Sequence, residues 1–246
     1  MKTAVVIMSK IPLPGYTKTR MMPEMTAAEC ADFHKACLAD ICRTVKKTSY
    51  TGFLYYVGQN MDQVTPDDKN LTGLDEDTLR YFRIKAQRGN NLGQRMLEAV
   101  REVLVDFDAV IVIGSDIPEL HSLLLQETVK RLQYFDVVLG PAIDGGYYLV
   151  AMTRPDREIF TDVPWGTGNV LHITLEKLKK ENKTFFLLPQ LHDIDTWEDI
   201  KRYCRREKNG GRDNRCLSSW QLAKQLVEAK NITCSGVNGK PQVSGL

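Results

Sequence analysis

Five consecutive apolar residues, Ala109-Val110-Ile111-Val112-Ile113, run directly into Gly114-Ser115-Asp116-Ile117-Pro118, and no other segment constrains the chain as strongly. The run is short and rich in β-branched side chains, so it reads as a strand buried on both faces. A carboxylate at the carboxyl end of such a strand lies where open α/β sheets place their ligands. Pro118 biases Ile117 towards extended backbone, so the chain leaves the sheet without starting a helix at once. Asp116 then faces the crevice, where it could hold a divalent cation against a diphosphate. An aspartate here also suits a turn or a helix cap, and other segments must decide between these uses.

Those segments alternate in type. Ala4–Met8 is a first strand. Thr26-Ala27-Ala28-Glu29 is a capping box, and Cys30, Phe33, Cys37, Ile41 and Val45 carry the helical repeat to about Lys47. Strands at 53–57 and 82–86 are separated by a polar connection, 59–78, with room for a short helix. Leu92, Met96, Val100 and Leu104 mark an amphipathic helix. After the 109–113 strand come a helix over 122–134, strands at 136–139 and 145–151, a helix over 168–180, a strand at 184–188 and a helix over 197–206. This order predicts an α/β three-layer αβα sandwich. Its mostly parallel mixed sheet is covered by helices on both faces, with antiparallel pairing in the second half, where strands are closely spaced. Residues 1–206 are expected to form this domain. Residues 207–246 read as a linker (Glu207–Asn214), an appendage helix from Ser218 or Ser219 through Glu228, and a weakly ordered tail from Asn231.

With 246 residues, 43% of them hydrophobic and 26% charged, and a net charge of +2, the composition is that of a soluble globular protein. It gives no reason to invoke nucleic acid or an acidic membrane surface. No stretch is long enough to span a bilayer, and the apolar run 3–8 is too short for a signal peptide. None of the six cysteines forms a Cys-x-x-Cys pair. A cytoplasmic protein with reduced thiols is expected; nothing in the sequence addresses oligomeric state.

Several loops carry chemical content. Lys10 through Arg20 follows the first strand with three cations, Lys10, Lys18 and Arg20, and Gly15 permits close backbone approach, so the loop reads as a phosphate grip. It lacks the P-loop pattern and the dinucleotide fingerprint. Gln87 through Arg95 joins a strand to a helix; turn and cap chemistry accounts for it locally, although amides and a helix start also suit a nucleotide. Asp144-Gly145-Gly146-Tyr147-Tyr148 combines an acid, two glycines and two aromatics, which suits a sugar or a tight turn equally. Trp165 could stack on a ligand ring or simply pack. Thr196 and Asp199 form a second capping box, leaving His192, Asp193 and Asp195 free, one of which could complete a metal site with Asp116.

In this order, Lys10-x-Pro12-x-Pro14-Gly15-x-x-Lys18-Thr19-Arg20, Gln87 through Arg95, Gly114-Ser-Asp116-x-Pro118, Gly140-Pro-x-x-Asp144-Gly-Gly-Tyr-Tyr148, Pro164-Trp165-x-Thr167 and Asp193-Ile-Asp195-Thr196-x-x-Asp199 resemble the bacterial DUF2064 proteins. These are glycosyltransferase-like members of the nucleotide-diphospho-sugar transferase superfamily, with a GT-A-like fold. The resemblance spans about residues 1–205. It implies Asp116 and Asp195 as ligands of Mg2+ or Mn2+. Lys10, Gly15, Lys18, Thr19, Arg20, Gln87, Asn91 and Gly93 would hold the nucleotide and its phosphates. Gly145, Gly146, Tyr147, Trp165 and Thr167 would line an acceptor pocket. The family commonly has Asp at position 91, and Ser and Glu where this chain has Gly166 and Gly168; the last two changes point to an altered acceptor or reduced activity.

The expected activity is metal-dependent transfer from a nucleotide-diphospho-sugar to a small-molecule acceptor, with Asp144 or Asp193 orienting or deprotonating the acceptor hydroxyl. The alternatives are nucleotidyl transfer with release of pyrophosphate, and nucleotide binding without turnover.

Overall fold

The computed structural model describes residues 1–58, 74–206, 208–209 and 212–236. Strands β1 (Thr3–Lys10), β2 (Thr51–Val57), β3 (Phe82–Ala86), β4 (Ala109–Gly114), β5 (Val137–Pro141), β6 (Tyr147–Met152) and β7 (Phe185–Leu187) form one sheet in the order β3-β2-β1-β4-β6-β5-β7. Neighbours run parallel except where β6 meets β4 and β5. The helices are α1 (Ala27–Lys46), α2 (Glu76–Tyr81), α3 (Leu92–Val103), α4 (Ser122–Arg131), α5 (Val170–Lys180), α6 (Trp197–Arg205) and α7 (Ser218–Gly236). The α/β architecture and the antiparallel element in the second half are as the sequence predicts. That element arises because β5 returns directly into β6 through a tight turn containing Gly145 at φ +89°; parallel neighbours need a crossover instead.

The apolar run of β4 is continuous because both its faces are covered. Ile111 and Ile113 pack with Leu38, Ile41 and Val45 of α1 and Leu124 and Leu125 of α4. Val110 and Val112 pack on the opposite face with Met96, Val100 and Val103 of α3 and Leu178 of α5. Both capping boxes form: Thr26 Oγ1 accepts from Glu29 N at 3.2 Å, and Thr196 Oγ1 from Asp199 N at 3.3 Å. No helix among the described residues is long and apolar enough to cross a membrane.

A third core lies on the outer side of α1. Met21, Cys30, Phe33 and Cys37 meet Ile200 and Tyr203 of α6 and Leu217, Trp220, Ala223 and Leu226 of α7. Cys30, Cys37 and Cys204 are free, buried thiols within it, acting as small apolar fillers. The segment expected as a linker is structured: β8 (Lys208–Asn209) and β9 (Arg212–Asp213) pair antiparallel, and a single 3-10 turn, Asn214–Cys216, leads into α7. Asn214 is fully buried; its Nδ2 donates to Glu119 Oε1 at 2.7 Å and to the Arg206 carbonyl at 2.8 Å. These partners fix a segment that its Asn, Gly and charged composition marks as a loop. Helix α7 extends to Gly236, past the predicted end at Glu228. The short helix expected in the 59–78 connection is α2, which starts at Glu76 and runs past the connection to Tyr81; residues 59–73 and the tail after 236 lie outside the described residues.

Candidate active site

The sheet changes direction of growth at β1. The chain steps outward to β2 and β3, then returns to place β4 on the other side of β1. Open α/β sheets hold ligands at the carboxyl ends of strands at such a point, and a cleft of about 480 Å³ lies there. Ser9 and Lys10 from β1, Gly114 to Ile117 at the end of β4, and Gly146 with Tyr147 to Val150 of β6 line it, together with Asp144, Asp193, Asp195 and Trp165.

Backbone pairing brings the acidic residues together. Ile194 N donates to the Asp116 carbonyl at 3.1 Å, placing 193–195 beside the end of β4. Leu191 N donates to Pro141 O and Ile143 N to Leu191 O, both at 3.1 Å, which sets the same segment against Asp144. The α6 capping box tightens the arrangement, because Asp199 Oδ2 also accepts from Asp195 N at 3.2 Å.

Lys18 links the two expected metal ligands. Its side chain is 3% exposed, and its Nζ pairs with Asp116 Oδ1, with Asp195 Oδ1 at 2.9 Å and with the Ile194 carbonyl at 2.6 Å. All three ammonium hydrogens therefore have protein acceptors. The backbone at Lys18 is left-handed (φ +53°), a conformation uncommon for a residue with a side chain; the three acceptors around its Nζ reward it. Burial opposes the charge on Lys18, but the two carboxylates outweigh it and raise its pKa. Burial likewise works against the Asp116 carboxylate, and Lys18, helped by His34, overrides it and holds the pKa below the ordinary range. Asp193 lacks such a cation: burial first, then Asp144 and Asp195, push its pKa up to about 6.

The other expected positions divide. Lys10 and Gln87 line the cleft. Gln87 Nε2 is committed to the Ser9 and Tyr55 carbonyls at 3.0 and 2.8 Å, so it ties β1 to β2. Gly146, Tyr147, Trp165 and Thr167 line the far end, where the Tyr147 and Trp165 rings meet edge to face at 6.0 Å. Gly15, Thr19 and Arg20 are exposed and do not line the cleft; of the loop's three cations, Lys10 and Lys18 line it, and Lys18 is paired with carboxylates. Asn91 is the cap of α3, accepting from Gln94 N at 2.9 Å, a role its family alternative Asp fills equally. Gly93 is packed under Trp165: an added Cβ would lie 2.2 Å from the Phe160 carbonyl.

Gly145 also serves packing. An added Cβ would lie 2.0 Å from the Gly168 carbonyl, at a φ that already disfavours a side chain. Gly145→Ala is expected to cost roughly 1–3 kcal/mol and to displace the 164–168 loop. Urea unfolding and Trp165 fluorescence check this; an unchanged unfolding midpoint and emission spectrum would refute it. Gly166 faces open space at φ +84°, and a Cβ on Gly168 would reach only the Asp144 carbonyl at 3.4 Å. Close packing demands neither glycine; Gly166 lines the cleft and Gly168 does not.

Thr17, His34 and Arg95 are among the cleft residues that were not singled out from the sequence. His34 falls on the apolar stripe of α1, between Phe33 and Cys37, so its periodicity signals core and nothing more. Arg95 Nε donates to the Gly89 carbonyl at 3.0 Å.

Residues 53–167 match the sequence profile of the family described as "uncharacterized protein conserved in bacteria (DUF2064)". No match was found among curated proteins. A solved structure from Desulfovibrio desulfuricans G20, provisionally described as a nucleotide-diphospho-sugar transferase, is 27% identical with a TM-score of 0.83, over 94% of this chain and 97% of that one. A cytidylyltransferase from Leptospira borgpetersenii serovar Hardjo-bovis (strain JB197) is 16% identical with a TM-score of 0.53, covering 99% of this chain and 100% of its own, and shares the fold alone. The chain carries the DUF2064 pattern over residues 53–167, which holds the motifs from Gln87 to Thr167 but not those at 10–20 and 193–199, on the fold of the nucleotide-diphospho-sugar transferases.

Proposed function

We propose that this protein is a transferase acting on a nucleotide-activated donor, and specifically that it moves a glycosyl group from a nucleotide-diphospho-sugar to a small-molecule acceptor with a divalent cation held at Asp116 and Asp195. The observation that carries the reading is the meeting of these two carboxylates on one positive charge at the mouth of the sheet. Each shares only Oδ1 with Lys18, and the side chains remain 43% and 36% exposed, so a second oxygen of each is free for a hard cation. Among the described residues no three ligating side chains form a metal cage. That fits Mg2+ or Mn2+ bound through one or two carboxylates, with phosphate oxygens and water completing the shell.

When bound, the cation supplies stabilisation of the negative charge that develops on the departing diphosphate. The chain's own groups do the rest. Lys18 fixes both carboxylates in advance, which is where electrostatic catalysis gains most. Lys10 and Arg95 are the cleft cations not committed to an acid among the described residues, and they suit the donor phosphates. Asp193 is the better acceptor-side base, because Asp144 Oδ1 already accepts from Gly146 N at 2.8 Å. In the transfer, Asp193 takes the acceptor hydroxyl proton, the acceptor oxygen bonds to the anomeric carbon, and the bond to the diphosphate breaks with its electron pair leaving on the phosphate oxygen. The spending of Lys18 on aspartates leaves less positive charge than a triphosphate calls for, which favours a diphosphate donor over nucleotidyl transfer.

Product analysis tests the choice. Nucleoside diphosphate together with a glycosylated acceptor is expected; pyrophosphate release would instead assign nucleotidyl transfer. Asp116→Asn is expected to leave the fold intact and weaken Mn2+-dependent nucleotide binding by a hundredfold or so, roughly the 3 kcal/mol lost with a charged partner. Calorimetric titration showing parental affinity for metal and nucleotide would remove Asp116 from the site.

A further inference from the structure

The lining of the cleft is divided. Lys10, Lys18, Asp116 and Asp195 make one part of it charged, whereas Leu92, Met96, Tyr147, Trp165 and Val170 make another apolar. The apolar part is built around the indole of Trp165. Gly93 packs directly beneath it, since an added Cβ would lie 2.5 Å from Trp165 Nε1, and this sets the start of α3 against the ring. The Tyr147 ring meets the indole edge to face at 6.0 Å. Tyr147 is half-buried but its Oη is fully buried, so it offers the cleft a ring and not a hydroxyl. Gly166, next to the indole, leaves open space where a side chain would stand. Leu92 is 42% exposed, an apolar side chain that a bound ring would cover.

Hydrogen-bonding groups are scarce here. Thr167 Oγ1 is committed to the Pro164 carbonyl at 2.8 Å, and Arg95 Nε to the Gly89 carbonyl at 3.0 Å. What remains is the rest of the Arg95 guanidinium, read above as a contact of the donor phosphates, and the indole N–H. A sugar carries several hydroxyls, and each one buried without a partner weakens binding. A flat apolar body with a single hydroxyl meets no such cost and gains the aromatic contact. A phenol has a further advantage. Its hydroxyl ionises near pH 10, far more readily than an aliphatic alcohol, so a carboxylate is a competent base for it.

We propose that the acceptor is a phenol, its ring held against Trp165 and Leu92 and its hydroxyl turned to Asp193, and that sugars are poor acceptors for want of partners. The inference rests on the glycosyl-transfer reading above and names its acceptor class. The phenol oxygen bonds to the anomeric carbon, its proton passes to Asp193, and the diphosphate leaves with the electron pair of the broken bond. The products are an aryl glycoside and a nucleoside diphosphate.

The test titrates the whole chain by calorimetry with 2-naphthol, with methyl β-glucoside, and with UDP, GDP, CDP and ADP, each nucleotide with Mn2+. 2-Naphthol is expected to bind roughly tenfold or more tighter than the glucoside, and to bind equally well with the preferred nucleotide in place. Leu92→Asn and Trp165→Ala should each weaken 2-naphthol by about fivefold or more and leave nucleotide affinity at the parental value. A glucoside that binds as tightly as 2-naphthol, or parental 2-naphthol affinity in Leu92→Asn, overturns the inference and leaves the transferase reading standing. So does mutual exclusion of 2-naphthol and nucleotide, or nucleotide affinity lost in Leu92→Asn, either of which would assign the apolar part of the cleft to the donor. Failure of all four nucleotides to bind the parent overturns the transferase reading itself, and this inference with it. If Trp165→Ala does not fold, the parent and Leu92→Asn, altered at an exposed helix start, still decide.

Discussion

A chain ending at Arg206 is expected not to accumulate as soluble folded protein, even though the seven-stranded sheet lies entirely within it. The reason is the set of buried charges that α7 and the turn before it satisfy. Asp40 on α1 has a fully buried side chain and accepts from Ser218 N at 3.1 Å, Ser219 N at 2.9 Å and Ser219 Oγ at 2.6 Å, so it serves as the N-terminal cap of α7 from across the core. Glu119, also fully buried, loses Asn214. Asp40 keeps Arg43 and Glu119 keeps Arg206, but each hydrogen bond to a charged group is worth about 1.5–3 kcal/mol, and the loss of these four approaches the whole stability of a typical domain, about 5–15 kcal/mol. Phe33, Cys37 and Tyr203 would be uncovered at the same time. The Lys18 loop continues into Met21 in this core, and Glu119 follows Asp116 by one turn, so the active-site loops rest on the appendage. In the full chain, Asp40→Ala should lower urea stability by roughly 3 kcal/mol. Soluble expression of the truncated chain with a parental unfolding midpoint would show that residues beyond 206 are dispensable for folding.

That dependence was not legible in the sequence, whereas the sheet was. A strand buried on both faces leaves a mark in every residue, as in Ala109–Ile113, and a capping box leaves its two partners three positions apart, as in Thr26 and Glu29. The cap on α7 pairs residues 178 and 179 positions apart, and nothing local announces it. The same distinction runs through the site. Asp116 was legible because strand end, glycine and proline fix its place together. Asp195 became legible only beside the family motifs, and Asn91 and Gly93 followed with roles that the helix cap and Trp165 packing now explain. Lys18 was read as a phosphate ligand because it is one of three cations in the loop after the first strand; its left-handed backbone has no sequence signature without a glycine. His34 was hidden by its position on an apolar stripe, where a histidine and a core residue give the same periodicity.

Lys18→Met is expected to separate the two functions that a positive charge performs at this site. In metal-free protein the substitution leaves the Ile194 carbonyl without its donor and sets Asp116 and Asp195 against each other with no counter-charge. Both carboxylates are partly exposed, so water recovers some of the loss, and a cost of roughly 2–3 kcal/mol in urea unfolding is expected, at or below the lower end for buried pairs. Methionine fills most of the lysine stem's volume, so little of this cost arises from a cavity. Arginine is not a rescue, since its planar fork cannot direct three donors at acceptors placed for an ammonium. Mn2+ should then stabilise the variant more than the parent, because the ion no longer meets the repulsion of a fixed ammonium beside the two carboxylates. Turnover should nevertheless fall, because carboxylates that no cation holds in advance must be ordered in each catalytic cycle. Equal unfolding midpoints in chelator, with the same Mn2+ response in both proteins, would mean that Lys18 does not organise the pair.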